Sequence, residues 1–174
     1  VSRQIKEITI PRKKIASIKF DNPKIMGILN VTPDSFSDGG KFNTLDKSTK
    51  YVAQMIKDGA DIIDIGGEST RPGATTISAT KEISRIIPTI KKIKNKNKKI
   101  IISLDTRKPE VMKVGIENNI DIINDVSGLR YSNKSIDIIK QKKITFVLMH
   151  SIKNPKTMKS NIDYDDVLIY VYDY

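Results

Sequence analysis

Cysteine is absent from this chain of 174 residues, which excludes a disulfide framework and any thiolate chemistry. No apolar run approaches the ~18 residues that a membrane-spanning helix needs. The first residues also lack the basic, apolar, small-residue order of a secretory leader. A cytoplasmic location is the resulting expectation. Histidine occurs once, as His150 at a strand end, with no serine, cysteine or second histidine placed to make a triad or a zinc site, and a structural or site-supporting role is expected for it rather than that of a general base. Aromatic residues are scarce at 6%, and acidic residues are outnumbered 20 to 31, for a net charge of +11. That excess does not point to nucleic acid. The basic residues are 25 Lys and 6 Arg scattered along the chain, whereas base-reading forks and stacking platforms favour Arg and aromatics. The one dense run, Lys91 to Lys99, follows a helical pattern and reads as a solvated helix end and loop. Heavy use of Lys, Asn and Ile (31 Ile) has the look of a biased genome.

What the chain does contain is a recurring order: a short apolar run, then polar residues. Ile25, Met26, Ile28 and Leu29, broken only by Gly27, lead into Asn30-Val31-Thr32-Pro33-Asp34-Ser35-Phe36-Ser37-Asp38-Gly39-Gly40. Ile62, Ile63 and Ile65 lead into Gly66-Gly67-Glu68-Ser69-Thr70-Arg71-Pro72-Gly73. Ile100, Ile101, Ile102 and Leu104 lead into Asp105-Thr106-Arg107; Ile122 and Ile123 lead into Asn124-Asp125; Phe146 to Met149 meets His150. Short runs rich in branched residues and stopped by turn formers read as fully buried strands. Polar groups gathered at one end of every strand predict a site built from several loops, at the end where α/β proteins bind ligands.

Helical patterns alternate with these runs. Leu45 to Asp58 places Val52, Met55 and Ile56 on one face and stops at Gly59. Ser78 to Asn95 carries Ile83, Ile86, Ile87, Ile90 and Ile93 at helical spacing, with Pro88 predicting a kink or break. Ser78 has Lys81 three residues on, so the reciprocal capping box is lost. Pro109 and Glu110 open a third helix, Lys134 to Lys142 forms a fourth, and a fifth begins near Tyr164. Alternation with near-continuous apolar strands argues for a parallel α/β sheet with helices outside. A doubly wound sheet and a (β/α)8 barrel both satisfy it. The lack of a Gly-x-Gly-x-x-Gly loop after the first strand counts against a dinucleotide site. The length suits a single domain over residues 1–174, with an N-terminal extension over 1–23.

Three segments, Asn30 to Gly40, Gly66 to Ala74 and Ile122 to Val126, together with Asp105-Thr106 and Lys108-Pro109-Glu110-Val111, resemble the dihydropteroate synthases of folate biosynthesis. The similarity runs from about Lys24 to Tyr174. It implies a TIM-type (β/α)8 barrel. A complete barrel needs about 250 residues, so the expectation is a barrel truncated after about five strands, the N-terminal two-thirds of a synthase. The later Asp-Pro-Gly-x-Gly-Phe-Gly-Lys, Ser-Arg-Lys and Arg-x-His segments are not found in the chain. The resemblance implies a Mg²⁺-assisted transferase that joins 6-hydroxymethyl-7,8-dihydropterin diphosphate to 4-aminobenzoate, with small-molecule partners and a homodimer when full length. Two alternatives stay open: a non-catalytic remnant, and a pterin-binding methyltransferase domain acting on a methyl-folate.

The resemblance also assigns residues. Asn30 would lie next to the metal, as a hard oxygen donor suited to Mg²⁺; the plainer role is a loop amide satisfying a turn. Phe36 would cover the aminobenzoate ring, or pack on the barrel rim. Thr70, Arg71 and Pro72 would form a loop tip over the diphosphate, with Arg71 as the catalytic group, since a guanidinium can hold phosphate through two bonds. Asp105 and Asn124 would hold the pterin edge, although Asp105 could instead cap the helix opened by Pro109. Val126 and Met149 would pack on the pterin, or belong to the core. Asp125 could pair with a neighbouring strand's loop, and no catalytic role is assigned to it. Arg107 and Ser151-Ile152-Lys153 depart from the family pattern.

Overall fold

The computed structural model describes residues 14–15, 18–19, 21–32, 45–69, 75–150 and 165–173. Strands β1 (Lys14–Ile15) and β2 (Ile18–Lys19) form a small antiparallel ribbon. The main sheet contains β3 (Met26–Asn30), β4 (Ile62–Gly66), β5 (Ile101–Asp105), β6 (Ile122–Asp125) and β7 (Thr145–Leu148), all parallel and adjacent in chain order. The helices are α1 (Leu45–Lys57), α2 (Ala79–Lys96), α3 (Pro109–Glu117), α4 (Asn133–Lys142) and α5 (Val167–Asp173).

That unbroken order decides between the two closures. A doubly wound sheet reverses its strand order at a switch point, sending helices to both faces. Here every crossover steps to the next strand in the same direction. Right-handed connections therefore put successive helices on one face, where α1, α2, α3 and α4 pack in series. This is the winding of a (β/α)8 barrel wall.

Alternation along the strands gives the faces different chemistry. Leu29, Ile63, Ile65, Ile102, Leu104 and Ile123 point to the helices and meet Val52, Ile86, Ile90, Val111 and Met112 in the main core. Ile62, Ile101 and Ile122 point the other way and pack with Ile18 as a floor. Above that floor the inner face turns polar.

Local signals explain most boundaries. Gly59, with φ of +106°, ends α1. Ser78 caps α2 by accepting from the Lys81 amide at 3.2 Å, so half of the capping box survives. Pro109 starts α3. The expected break at Pro88 does not occur; α2 runs through it. A mid-helix proline costs about 3 kcal/mol. Each fully buried isoleucine contributes about 1.5–3 kcal/mol, and Ile86, Ile90 and Ile93 are all buried from this helix. Lys94 is less solvated than expected for the basic run, because its ammonium binds Asp121 at 2.7 Å and the Ile100 carbonyl at 3.0 Å.

The expectation of five buried strands holds for β4, β5 and most of β6. It fails at the two sheet edges. Ile28 is 62% exposed, and Phe146, Val147 and Leu148 are all exposed, because β3 and β7 are each flanked on one side only among the described residues. The apolar residues of α5, Val167 to Tyr172, are exposed as well. None of the described helices is long and apolar enough to cross a membrane.

Candidate functional site

The sheet register lines up the C-terminal ends of the strands. Asn30, Gly66, Asp105, Asn124 and Val147 are consecutive cross-strand partners in one row. The row below holds Ile28, Asp64, Ser103, Ile122 and Thr145. Both rows face away from the helices. A site formed there is anchored on strands rather than on loops, so its polar groups are fixed before any ligand arrives.

Gly66 is what allows the upper row to close. A Cβ built on it would meet Asn30 Oδ1 at 3.3 Å and Asp105 Oδ2 at 3.4 Å. Without a side chain there, two oxygen acceptors converge over the C-terminal end of β4. Asp105 Oδ1 is buried with no protein partner. Burial, and then the charges of Asp64, Glu82, Asp125 and Glu68, push its carboxyl up to about 7. A buried, unpaired carboxyl oxygen costs free energy that a ligand N–H can recover.

In the lower row, Asp64 is 6% exposed and its Oδ2 accepts from Asn124 Nδ2 at 3.1 Å. Its Oδ1 and the Ser103 hydroxyl beside it are buried without a well-formed hydrogen bond. Burial raises the Asp64 carboxyl, and the neighbouring Ser103 and Asn124 offset this only in part. Neither Asp64 nor Ser103 was foreseen from the sequence. The available signal was a charge inside an otherwise apolar strand, Ile62-Ile63-Asp64-Ile65-Gly66, two residues from Gly66 and hence on its face.

Behind the site lies a second group that sequence reasoning missed. The Lys108 ammonium, 3% exposed as a residue, bonds Glu82 Oε2 at 2.6 Å and Glu68 Oε1 at 2.9 Å. Glu68 also accepts from the Ile77 amide at 2.9 Å and from Arg107 Nε at 3.2 Å. Burial raises the Glu68 carboxyl, but Lys108, the Ile77 amide and Arg107 outweigh it and hold it below its ordinary value. Arg107 lies over the Tyr131 ring at 4.9 Å and donates to Thr76 at 3.3 Å. The unexpected arginine thus ties the segment after β4 to the one after β5. On the other side of Gly67, Arg85 donates to the Gly67 carbonyl at 2.8 Å.

Asp105 does not cap α3; Lys108 occupies that position, and Thr106 Oγ1 accepts from the Lys108 amide at 3.3 Å. The Asp125 side chain does not reach a neighbouring strand's loop; only its backbone carbonyl does, accepting from the Met149 amide. Asp125 is fully buried and closes its own turn, accepting from the Ser127 and Leu129 amides at 2.7 and 3.0 Å. Val126 and Met149 are partly buried just beyond β6 and β7, and the Met149 amide donates to the Asp125 carbonyl at 3.3 Å. His150 meets Tyr170 edge-on, with centroids 5.9 Å apart. Asn30 is exposed at the end of β3. Phe36, Thr70, Arg71 and Pro72 lie outside the described residues.

The winding and the site together define a parallel α/β protein of barrel type whose polar groups gather at the carboxyl ends of its strands. The sequence profile of the pterin binding enzymes matches residues 26–173, and the chain belongs to that family. It is 51% identical over 130 residues to the dihydropteroate synthase of Streptococcus pyogenes serotype M1, covering 75% of this chain and 48% of that protein. Among solved structures, the dihydropteroate synthase of Clostridium difficile determined in the presence of pteroic acid superposes with a TM-score of 0.77 at 41% identity, over 88% of this chain and 56% of that one. The Xanthomonas albilineans dihydropteroate synthase with 4-aminobenzoic acid superposes with a TM-score of 0.77 at 39% identity, over 90% of this chain and 54% of that one. The chain spans about half the length of the relatives it matches.

Proposed function

We propose that this chain carries the pterin-binding half of a dihydropteroate synthase, and that Asp105 and Asn124 hold the pterin. The observation that carries the reading is the register pairing of these two residues above a buried Asp64, with Asp105 Oδ1 left without a protein partner. Such an edge suits a flat heterocycle with several N–H donors. Synthase relatives at this level of identity favour condensation over methyl transfer.

In the reaction, the nitrogen of 4-aminobenzoate forms a bond to the pterin methylene carbon. The carbon–oxygen bond to diphosphate breaks, diphosphate leaves with the electron pair, and the amine loses one proton. The pterin stabilises the cationic carbon, so the protein's work is placement and charge stabilisation. Asp105 and Asn124 orient the ring. Arg71 and Thr70 are assigned to the diphosphate, Pro72 and Phe36 to the aminobenzoate side, and Val126 and Met149 to apolar contact with the pterin. Among the described residues, no three His, Asp, Glu or Cys side chains converge on a metal position. The single oxygen of Asn30, next to Gly66, fits a hydrated Mg²⁺ that enters on the diphosphate rather than one caged by protein. Bound there, the ion would neutralise charge on the leaving group. A cytoplasmic location and a dimer belong to the same proposal.

A second reading is that this chain binds pterin without turnover. It is favoured by the exposure of the inner-edge residues Ile28 and Val147, since among the described residues β3 and β7 are each flanked on one side only. Incubating the 174-residue chain with both substrates and Mg²⁺, and measuring dihydropteroate, separates the two. Product formation supports the synthase reading. Saturable pterin binding without product leaves binding alone.

A further inference from the structure

We infer that Asp64 is a specificity-determining positioning residue: by accepting from Asn124 Nδ2, it turns the amide oxygen of Asn124 toward the ligand and so selects a heterocycle with an amino group at that edge over one with a carbonyl. The inference rests on the pterin reading of the Asp105–Asn124 site.

The geometry is specific. Asp64 and Asn124 are on β4 and β6, with β5 between them, and the Asn124 side chain crosses β5 to reach Asp64 Oδ2 at 3.1 Å. Asparagine has one donating end and one accepting end, and either could face a ligand. A carboxylate can only accept. The donating end of Asn124 is therefore committed to Asp64, and its oxygen is directed away from Asp64. Asp105, the register partner of Asn124, adds a second acceptor whose Oδ1 has no protein partner. Two acceptors side by side ask for two donors. A 2-amino-4-oxo pteridine offers an amino group and a ring N–H along one edge, whereas a 2,4-dioxo pteridine places a carbonyl where the amino group would be. A carbonyl facing a fixed amide oxygen is repelled, and the oxygen stays unsatisfied.

Asp64 itself is 6% exposed, and its Oδ2 is what the Asn124 amide donates to, so its removal would leave that amide free to flip. Asp64→Asn is nearly isosteric and tests this directly. An amide at position 64 can donate or accept, and Asn124 can then present either end.

The experiment is a competition titration of the wild-type chain, Asp64→Asn, and the exchange variant Asp64→Asn/Asn124→Asp, using 6-hydroxymethylpterin and 6-hydroxymethyllumazine as probes. We expect the wild type to prefer the pterin by about tenfold or more. In Asp64→Asn the preference should fall to about threefold or less, through tighter lumazine binding and not only weaker pterin binding. The exchange variant rebuilds a donor at 64 against an acceptor at 124, and should recover the preference. Unchanged selectivity in Asp64→Asn, or no recovery in the exchange variant, overturns the inference. Equal binding of both probes by the wild type overturns it too, while leaving the pterin reading in place. No pterin binding by the wild type removes the pterin reading itself. Should Asp64→Asn fail to melt cooperatively, the Asn124 side-chain amide protons of the wild type decide the matter: slow exchange before any ligand is added supports the inference, and free exchange with solvent overturns it.

Discussion

Lys108 Nζ lies 2.6 Å from Glu82 Oε2, and both residues are almost wholly removed from solvent. They join the start of α3 to the first turn of α2. With Glu68 as the third member, the pair holds the segment after β4 against the segment after β5. Removing one partner of a buried pair strands the other charge at a cost of about 3–5 kcal/mol. We therefore expect Lys108→Met to lower stability by that amount in denaturant melts, and Glu82→Gln to have a smaller effect in the same direction. Less than about 1 kcal/mol, the range of exposed ion pairs, would show that water reaches the cluster.

Asp105 carries a pH signature. Its carboxyl is raised from 3.8 to about 7, so the folded state holds the proton more tightly than the unfolded chain does. The sign follows from linkage: its contribution to stability is full below about pH 4 and is lost as pH rises through about 7. Asp105→Asn removes that slope and is expected to be more stable than wild type by about 1–3 kcal/mol at pH near 8. Thermal melts of both proteins between pH 4 and 8 check this. Equal slopes would mean that Asp105 is not desolvated.

Ligand binding should show the complementary trend. If Asp105 holds the pterin as proposed, the ring N–H groups would bond the ionised carboxylate, and affinity is expected to be flat above about 7. Below that value it should weaken by up to about tenfold per pH unit. Calorimetry across this range, in buffers of differing ionisation enthalpy, would also detect release of about one proton per ligand.

Gly66→Ala separates the site from the fold. The added methyl would lie 3.3–3.4 Å from Asn30 Oδ1 and Asp105 Oδ2, close enough to displace both by a few tenths of an ångström. We expect a stability loss below about 1.5 kcal/mol, together with a loss of pterin affinity of roughly tenfold or more. Unchanged affinity would argue that the upper row is not where the ligand sits.

Asn30 should matter only when a diphosphate is present. Asn30→Ala, or removal of Mg²⁺ with a chelator, is expected to weaken binding of the pterin diphosphate by roughly tenfold. The alcohol lacking the diphosphate should bind as before. Equal losses for the two ligands would place Asn30 on the ring instead of the leaving group.

The legible parts of this protein were those written in local patterns. Short apolar runs announced β4, β5 and β6, and the polar residues that stop them placed Asp105 and Asn124 at the strand ends, where burial by the helices gives way to loops. Pro109 and Gly59 marked helix ends by backbone geometry alone. What escaped notice depends on pairing across the fold. Lys108 and Glu82 are 26 residues apart, and neither position carries a local sign that the other neutralises it. Asp64 hid inside an apolar run, where a single charge is easily taken as an interruption. Exposure of β3 and β7 depends on which strands lie beside them, a property of the sheet rather than of the segment. Of the kink or break that Pro88 predicted, the break is absent, because packing of three isoleucines outweighs one lost backbone bond.

The central claim is that Asp105 and Asn124 form the pterin edge, and calorimetric titration of the 174-residue chain with 6-hydroxymethyl-7,8-dihydropterin tests it most directly. The expected result is saturable binding at one site, weakened at least tenfold by Asp105→Asn and by Asn124→Ala. Absence of binding by the wild type, or binding that both variants leave intact, would contradict it.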